Sequence, residues 1–117
     1  MKAILLTLTL GVLTFASCNK CKDQDPTARV INNGSESVDV HIKTSGGNTV
    51  NINNIEGGTA SDFRSYAPGL VNFRITVSNG GSTAEYNSTV VMDDCFQYDV
   101  ILDQDNLIRT VSTDLNE

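Results

Sequence analysis

The chain has 117 residues, enough for one small domain, with a formal charge of −6 and a sequence pI near 4.5. An acidic surface repels phosphate backbones, so nucleic acid is excluded as a partner, and no polybasic run offers itself to anionic lipid headgroups. A single histidine, His41, and the absence of tryptophan leave little for a histidine-centred catalytic site or a sugar-stacking platform.

The first element is a leader. Met1-Lys2 is a minimal positive start, and Ala3 to Ala16 is an apolar run too short to span a bilayer as a mature helix. The small residues Ala16 and Ser17 then precede Cys18. Phe15-Ala16-Ser17-Cys18 resembles the bacterial lipobox, departing from it at Phe15, where leucine is usual. The resemblance implies a signal peptide over residues 1–17 and a mature chain that begins with lipid-modified Cys18. The competing reading is an ordinary secretory leader that leaves Cys18 as a free thiol. Asp directly after the modified cysteine usually retains such proteins at the inner membrane. Here the residue is Asn19, which implies the outer membrane. Lys22, Asp23 and Asp25 are similar to the short charged signal that sends some lipoproteins to the cell surface; their other reading is a solvated tether. Residues 18–26 thus form the acylated cysteine and a polar tether, closed by Pro26. Removing a leader whose only charge is Lys2 takes one from the 8 basic residues against 14 acidic, a net charge of −7.

Three cysteines are present, Cys18, Cys21 and Cys95. Lipid on Cys18 would leave an even pair, and an oxidising envelope permits a Cys21–Cys95 disulfide that clips the tether to the domain. The alternative leaves Cys21 free in the linker and Cys95 as a small core residue.

From Thr27 the apolar period is two. Ala28, Val30 and Asn32 share one face of a first strand, and Asn33-Gly34 is a turn. Val38, Val40 and Ile42 alternate with Asp39, His41 and Lys43, which places His41 on the wet face of a half-buried strand. Val50 and Ile52 are followed by a parity break to Ile55, which predicts a bulge or a strand end. Thr59 to Tyr66 is predicted as a poor edge strand with Phe63 as its main apolar side chain. Pro68-Gly69 predicts a type II turn. Val71, Phe73, Ile75 and Val77 then line the best strand in the chain. Thr83 to Met92, Cys95 to Leu102 and Leu107 to Ser112 complete the series. No apolar period of 3.6 follows the leader. The pattern predicts an all-β fold: an antiparallel sandwich of about seven to eight short strands, residues 27–117, behind a cleaved leader helix and a polar linker.

The stretches "YAPGLVNFRITVSNGG" and "CFQYDVIL" resemble the hairpin and closing strand of transthyretin-like and carboxypeptidase-regulatory-like sandwiches, which are Ig-like in architecture. "SVDVHI" with "GGTASDFRSYAPG" is also similar to an uncharacterised family of short secreted bacterial β-sandwich domains. These families are mostly non-catalytic modules, so the resemblance implies a fold more than an activity.

No enzyme is expected, and neither a cofactor nor a metal. No serine lies in a Gly-x-Ser-x-Gly elbow, and His41 has no local partner beyond Asp39 on the same face. Asp93, Asp94, Asp99, Asp103 and Asp105 form an acidic set, but Asp103-Gln104-Asp105 fails as a calcium loop at Leu107 and Ile108. Asn33-Gly34-Ser35 and Asn87-Ser88-Thr89 match a glycan sequon and read as turn and strand residues.

The functional expectation is a lipid-anchored, non-enzymatic module of the outer membrane, on the cell surface or its periplasmic face. It would bind a protein or surface glycan through Gly-rich tips at Ser45–Asn48, Glu56–Gly58 and Asn79–Ser82. Two alternatives stand beside it. One is a periplasm-facing structural accessory of a larger envelope complex, docking through an open edge at Thr59–Tyr66 or Leu107–Ser112. The other is a small-ligand or calcium-binding sandwich.

Overall fold

The computed structural model describes residues 21–116. The leader and the proposed lipid site at Cys18 lie outside them. Nine strands follow one another: β1 (Thr27–Asn32), β2 (Val38–Lys43), β3 (Thr49–Ile55), β4 (Thr59–Ala60), β5 (Arg64–Ser65), β6 (Gly69–Asn79), β7 (Ser82–Met92), β8 (Phe96–Leu102) and β9 (Ile108–Asp114). They form two sheets packed as a sandwich. One runs β4-β1-β8-β9 with β5 also on β1, the other β3-β2-β6-β7. All pairings are antiparallel except one: β1 runs parallel to β8 from Thr27 opposite Gln97 to Asn32 opposite Leu102.

The period-two faces meet in one core. Ala28, Val30, Tyr98, Val100 and Leu102 come from the first sheet, and Val38, Val40, Ile42, Val71, Phe73 and Ile75 from the second. Tyr66 packs edge-on against Phe73, with ring centroids 6.3 Å apart. Burial pushes the Tyr66 phenol above its ordinary pKa, an effect that the nearby Arg64 guanidinium partly offsets. The parity break in β3 is a bulge. The β2–β3 register shifts between Val38 and Val40, Asn54 adopts a positive φ of 59°, and Ile55 returns to the core.

The segment Thr59–Tyr66 differs from its sequence reading. It is two short bridges to β1, not one strand. Ser61 explains the break: its N–H donates to the Val30 carbonyl at 2.9 Å, but its Oγ takes the Val30 N–H, also at 2.9 Å. A side-chain oxygen has replaced the next ladder carbonyl. The chain swings out after it, and Phe63 stays 39% exposed, lying over the Arg29 guanidinium at 4.7 Å. The core aromatic of this segment is Tyr66 instead.

Cys21 and Cys95 are joined by a disulfide with Cα atoms 5.8 Å apart. The neighbouring backbone reinforces it: Cys95 N–H donates to Gln24 O, Leu115 N–H to Cys95 O and Tyr66 N–H to Pro26 O. Cys21 N–H donates to the Asn116 side chain. The linker is therefore docked on the domain well before β1 begins. The bond spans a sequence separation of 74 residues. Replacing both cysteines by alanine is expected to lower stability by about 4–5 kcal/mol on the chain-entropy model. Urea unfolding of the oxidised chain and the double variant measures this, and a loss below about 1 kcal/mol would contradict it.

Candidate functional site

The strand registers sort the loops into two ends. Tracing β1 from Thr27 to Asn32 and β8 from Phe96 to Leu102 leads away from the disulfide. At the far end lie the turns after β1 (33–37), after β3 (56–58), between β6 and β7 (80–81) and between β8 and β9 (103–107). At the disulfide end lie the linker, the β2–β3 turn, Pro68, Asp93-Asp94 and the chain's last described residues. Two of the three Gly-rich tips read from the sequence, Glu56–Gly58 and Asn79–Ser82, fall at the far end. The third, Ser45–Asn48, falls at the linker end and is closed on itself. Thr44 and Asn48 exchange backbone and side-chain hydrogen bonds, and Ser45 Oγ donates to Pro68 O at 3.1 Å.

The far end is built on Asn32, which is fully buried. Its Nδ2 donates to Glu36 O at 2.7 Å and to Ile55 O at 2.9 Å, and its Oδ1 accepts from Gly34 N–H at 3.0 Å. The Asn32 backbone carbonyl accepts from Gly58 N–H at 2.7 Å. One residue thus fastens the turn after β1 to the end of β3 and to the turn that follows it. Gly57 completes the fit. A Cβ there would stand 2.5 Å from the Gly34 carbonyl oxygen, so only glycine lets the two turns touch. The sequence placed Asn32 on the inner parity but gave no sign of this role; a polar residue at the last inward position before Asn-Gly was the available signal.

The β8–β9 turn joins the same end. Asn33 N–H donates to Leu102 O at 2.8 Å, and Asn33 Nδ2 reaches Asp103 Oδ1 at 3.3 Å. Arg109 Nε donates to Asp103 Oδ2 at 2.7 Å. The Arg109 guanidinium, helped by the Asn33 amide, holds the Asp103 carboxyl below the ordinary aspartate range. The outcome is a shallow, open hollow lined by Asn33, Gly58, Asp103, Gln104 and Asp105, with Ser35 beside it. Amides, a hydroxyl and carboxylates can exchange hydrogen bonds with hydroxyl-rich or peptide partners, and no nucleophile stands beside a base in this set.

The remaining sequence candidates are scattered. Lys22, Asp23 and Asp25 are exposed on the docked linker. The five aspartates do not gather. Asp93 and Asp94 lie at the linker end and Asp103 and Asp105 at the far end, while Asp99 sits mid-sheet on Arg29 at 2.9 Å. Among the described residues no group of three or more His, Cys, Asp or Glu side chains is placed to hold a metal ion. His41 Nδ1 lies 2.9 Å from Asn51 Oδ1, while Asp39 accepts from Asn54 N–H, so His41 and Asp39 are engaged separately. No protein-family model matches the sequence, and none of the curated proteins compared with it is similar enough to show a relationship.

Two outcomes are expected. Asn32→Ala strips three carbonyl and amide groups of their partner and should cost about 1–3 kcal/mol in chemical denaturation. It should also broaden the NMR resonances of residues 33–37 and 56–58; unchanged stability would refute the keystone role. For Asp103, the lowered folded-state pKa contributes stability that is present at neutral pH and lost as pH falls through that pKa. Carboxyl titration by NMR should place its midpoint below the usual ~3.9, and Arg109→Gln should bring it back up. An unmoved midpoint would break the assignment to Arg109.

Proposed function

We propose that this chain is a lipid-anchored, non-enzymatic binding or adhesion module of the bacterial outer membrane, held through Cys18 and presenting its far-end loops to a protein or surface-glycan partner. One observation carries the reading: the linker is bonded at one end of the sandwich and the polar turns gathered by Asn32 stand at the other. Only Asn19 and Lys20 separate Cys18 from Cys21, a stretch that reaches no more than about 10 Å. A lipid on Cys18 would hold the disulfide end close against the membrane and aim the far end away from it. Several acyl chains on one cysteine would hold firmly where a single chain does not. The transthyretin-like resemblance is the finer description we offer for the sandwich; it rests on the sequence, since at Pro68-Gly69 the chain bends from β5 in one sheet to β6 in the other and closes no hairpin.

A second reading, a periplasm-facing accessory of an envelope complex, draws support from an open sheet edge at β7. Protease shaving of intact and lysed cells separates the two. Digestion in intact cells fits surface display. Protection until lysis moves the protein to the periplasmic face. The anchor has its own control. Cys18→Ser should abolish incorporation of a palmitate analogue and move the protein from the detergent phase to the aqueous phase; retained label and detergent partitioning would defeat the lipid reading.

A further inference from the structure

The outer sheet edges differ sharply in how they are protected. β3 is bulged, and β4 and β5 are two residues each. β9 is seven residues long and bears Arg109 and Asp114. β7 has none of these devices. It is 11 residues long, pairs only with β6 and keeps one register from Ser82 opposite Asn79 to Met92 opposite Gly69. It contains no proline, no lysine and a single charge, Glu85. Natural sheets ordinarily blunt such an edge.

The direction of its free peptide groups can be read from Tyr98. Its Oη accepts from Asp93 N–H at 2.9 Å and donates to Val91 O at 3.4 Å. The groups at 91 and 93 therefore point away from β6. The two-residue repeat of an antiparallel ladder turns Thr89, Asn87, Glu85 and Thr83 the same way. Tyr98 caps the end of the edge and leaves the stretch before Val91 open. On the core-facing parity of that stretch Ala84 is exposed and Tyr86 and Ser88 only half-buried. They stay partly open to solvent on that side.

We propose that β7 pairs antiparallel with β7 of a second copy of this chain, about a two-fold axis at Asn87, joining two sandwiches edge to edge. The sequence of the strand is self-complementary in that register. Asn87 meets its own mate, Glu85 faces Thr89, Tyr86 faces Ser88 and Ala84 faces Val90. The lone charge is thus kept away from its symmetry copy, and each partner's exposed Ala84 and Tyr86 gain a neighbour on the core side. About six new backbone hydrogen bonds form over the open stretch. A register centred on Glu85 would instead set two carboxylates face to face.

The pairing also fixes orientation. Antiparallel strands about this axis put the two linker ends at opposite ends of the dimer, separated by something like the ~36 Å length of an 11-residue strand. With the strands upright on the membrane, as the anchoring reading above has them, the short free tether cannot bring both linker ends to one membrane. With Cys18 lipidated, which rests on the reading above, the two copies belong to facing membranes, and the partner captured in adhesion is the protein itself.

The test uses the full chain in detergent and on vesicles. Sedimentation should show a concentration-dependent dimer. Asn87→Cys should cross-link to a covalent dimer under mild oxidation, and Glu85→Cys should not. Asn87→Pro removes an N–H that faces away from β6, and Asn87→Lys sets like charges across the axis. Each should weaken association at least tenfold while circular dichroism and melting stay as in the parent chain. Should the proline variant unfold, the lysine variant carries the comparison. A wild-type chain that remains monomeric at all concentrations, or an Asn87→Lys chain that dimerises normally, overturns the pairing. Vesicles carrying the lipidated chain should aggregate, and Asn87→Lys vesicles should not. A dimer in detergent without vesicle aggregation overturns the facing-membrane arrangement and leaves the pairing standing. Failure of Cys18→Ser to release the chain from membranes bears on the anchor alone.

Discussion

The architecture depends on β1 having both of its edges filled. A strand inside a sheet must satisfy two rows of peptide groups, and β1 does so with three different partners: β8 in parallel on one side, β4 and β5 in short antiparallel bridges on the other. Ser61 supplies the hydroxyl that completes the row where the bridges part. Because β1 is internal, the chain on either side of it is committed too. The residues before it are pressed against the β7–β8 turn and bonded to Cys95, and the residue at its end, Asn32, is sealed into the core.

That commitment gives a symmetric-looking sandwich two unlike ends. The linker end is covalently closed and crowded, with Pro26 buried and the β2–β3 turn tied to Pro68. The other end collects turns from four places in the sequence, two of them fastened by Asn32 and a third joined through Asn33. Every buried side-chain polar atom among the described residues has a partner, so the polar groups at this end are structural before they are available for recognition. What faces solvent there are the second-row groups: Ser35, Gln104 and Asp105 around the paired Asp103 and Asn33. A partner would meet a preset surface and need not order it.

Much of this was legible in the residues. The inward sets on β1, β2, β6 and β8, the bulge before Ile55 and the pairing of Cys21 with Cys95 follow from alternation, parity and cysteine arithmetic. The failures have physical causes. Thr59 to Tyr66 reads as one poor edge strand with Phe63 as its main apolar side chain, whereas Ser61 breaks the ladder, Arg29 offers the ring a guanidinium and Tyr66 takes the core position. The Gly-rich tips read alike in sequence, yet Ser45–Asn48 points toward the linker because β2 and β3 run that way. The open edge was sought at Thr59–Tyr66 or Leu107–Ser112. β9 is such an edge, but the longer one is β7, because no partner strand follows it in its sheet. Alternation reports which face of a strand is wet and is silent on which strand is last. The parallel β1–β8 contact is likewise invisible locally, since it joins the two ends of the domain.

That parallel contact has a consequence for how the protein comes into being. Among the described strands β1 is the first to leave a ribosome, and its ladder partner β8 is nearly the last. The hairpin of β6 and β7 closes through a short loop and can form early, while β1 must wait with one side bare. Contacts of such separation are slow to find, because the closure entropy falls due before the contact rewards it. The earliest of the described strands is therefore among the last to be secured. During that interval β1 stays exposed with an unpaired edge beside the polar tether, and the Cys21–Cys95 bond, which spans 74 residues, fastens the same two distant parts of the chain.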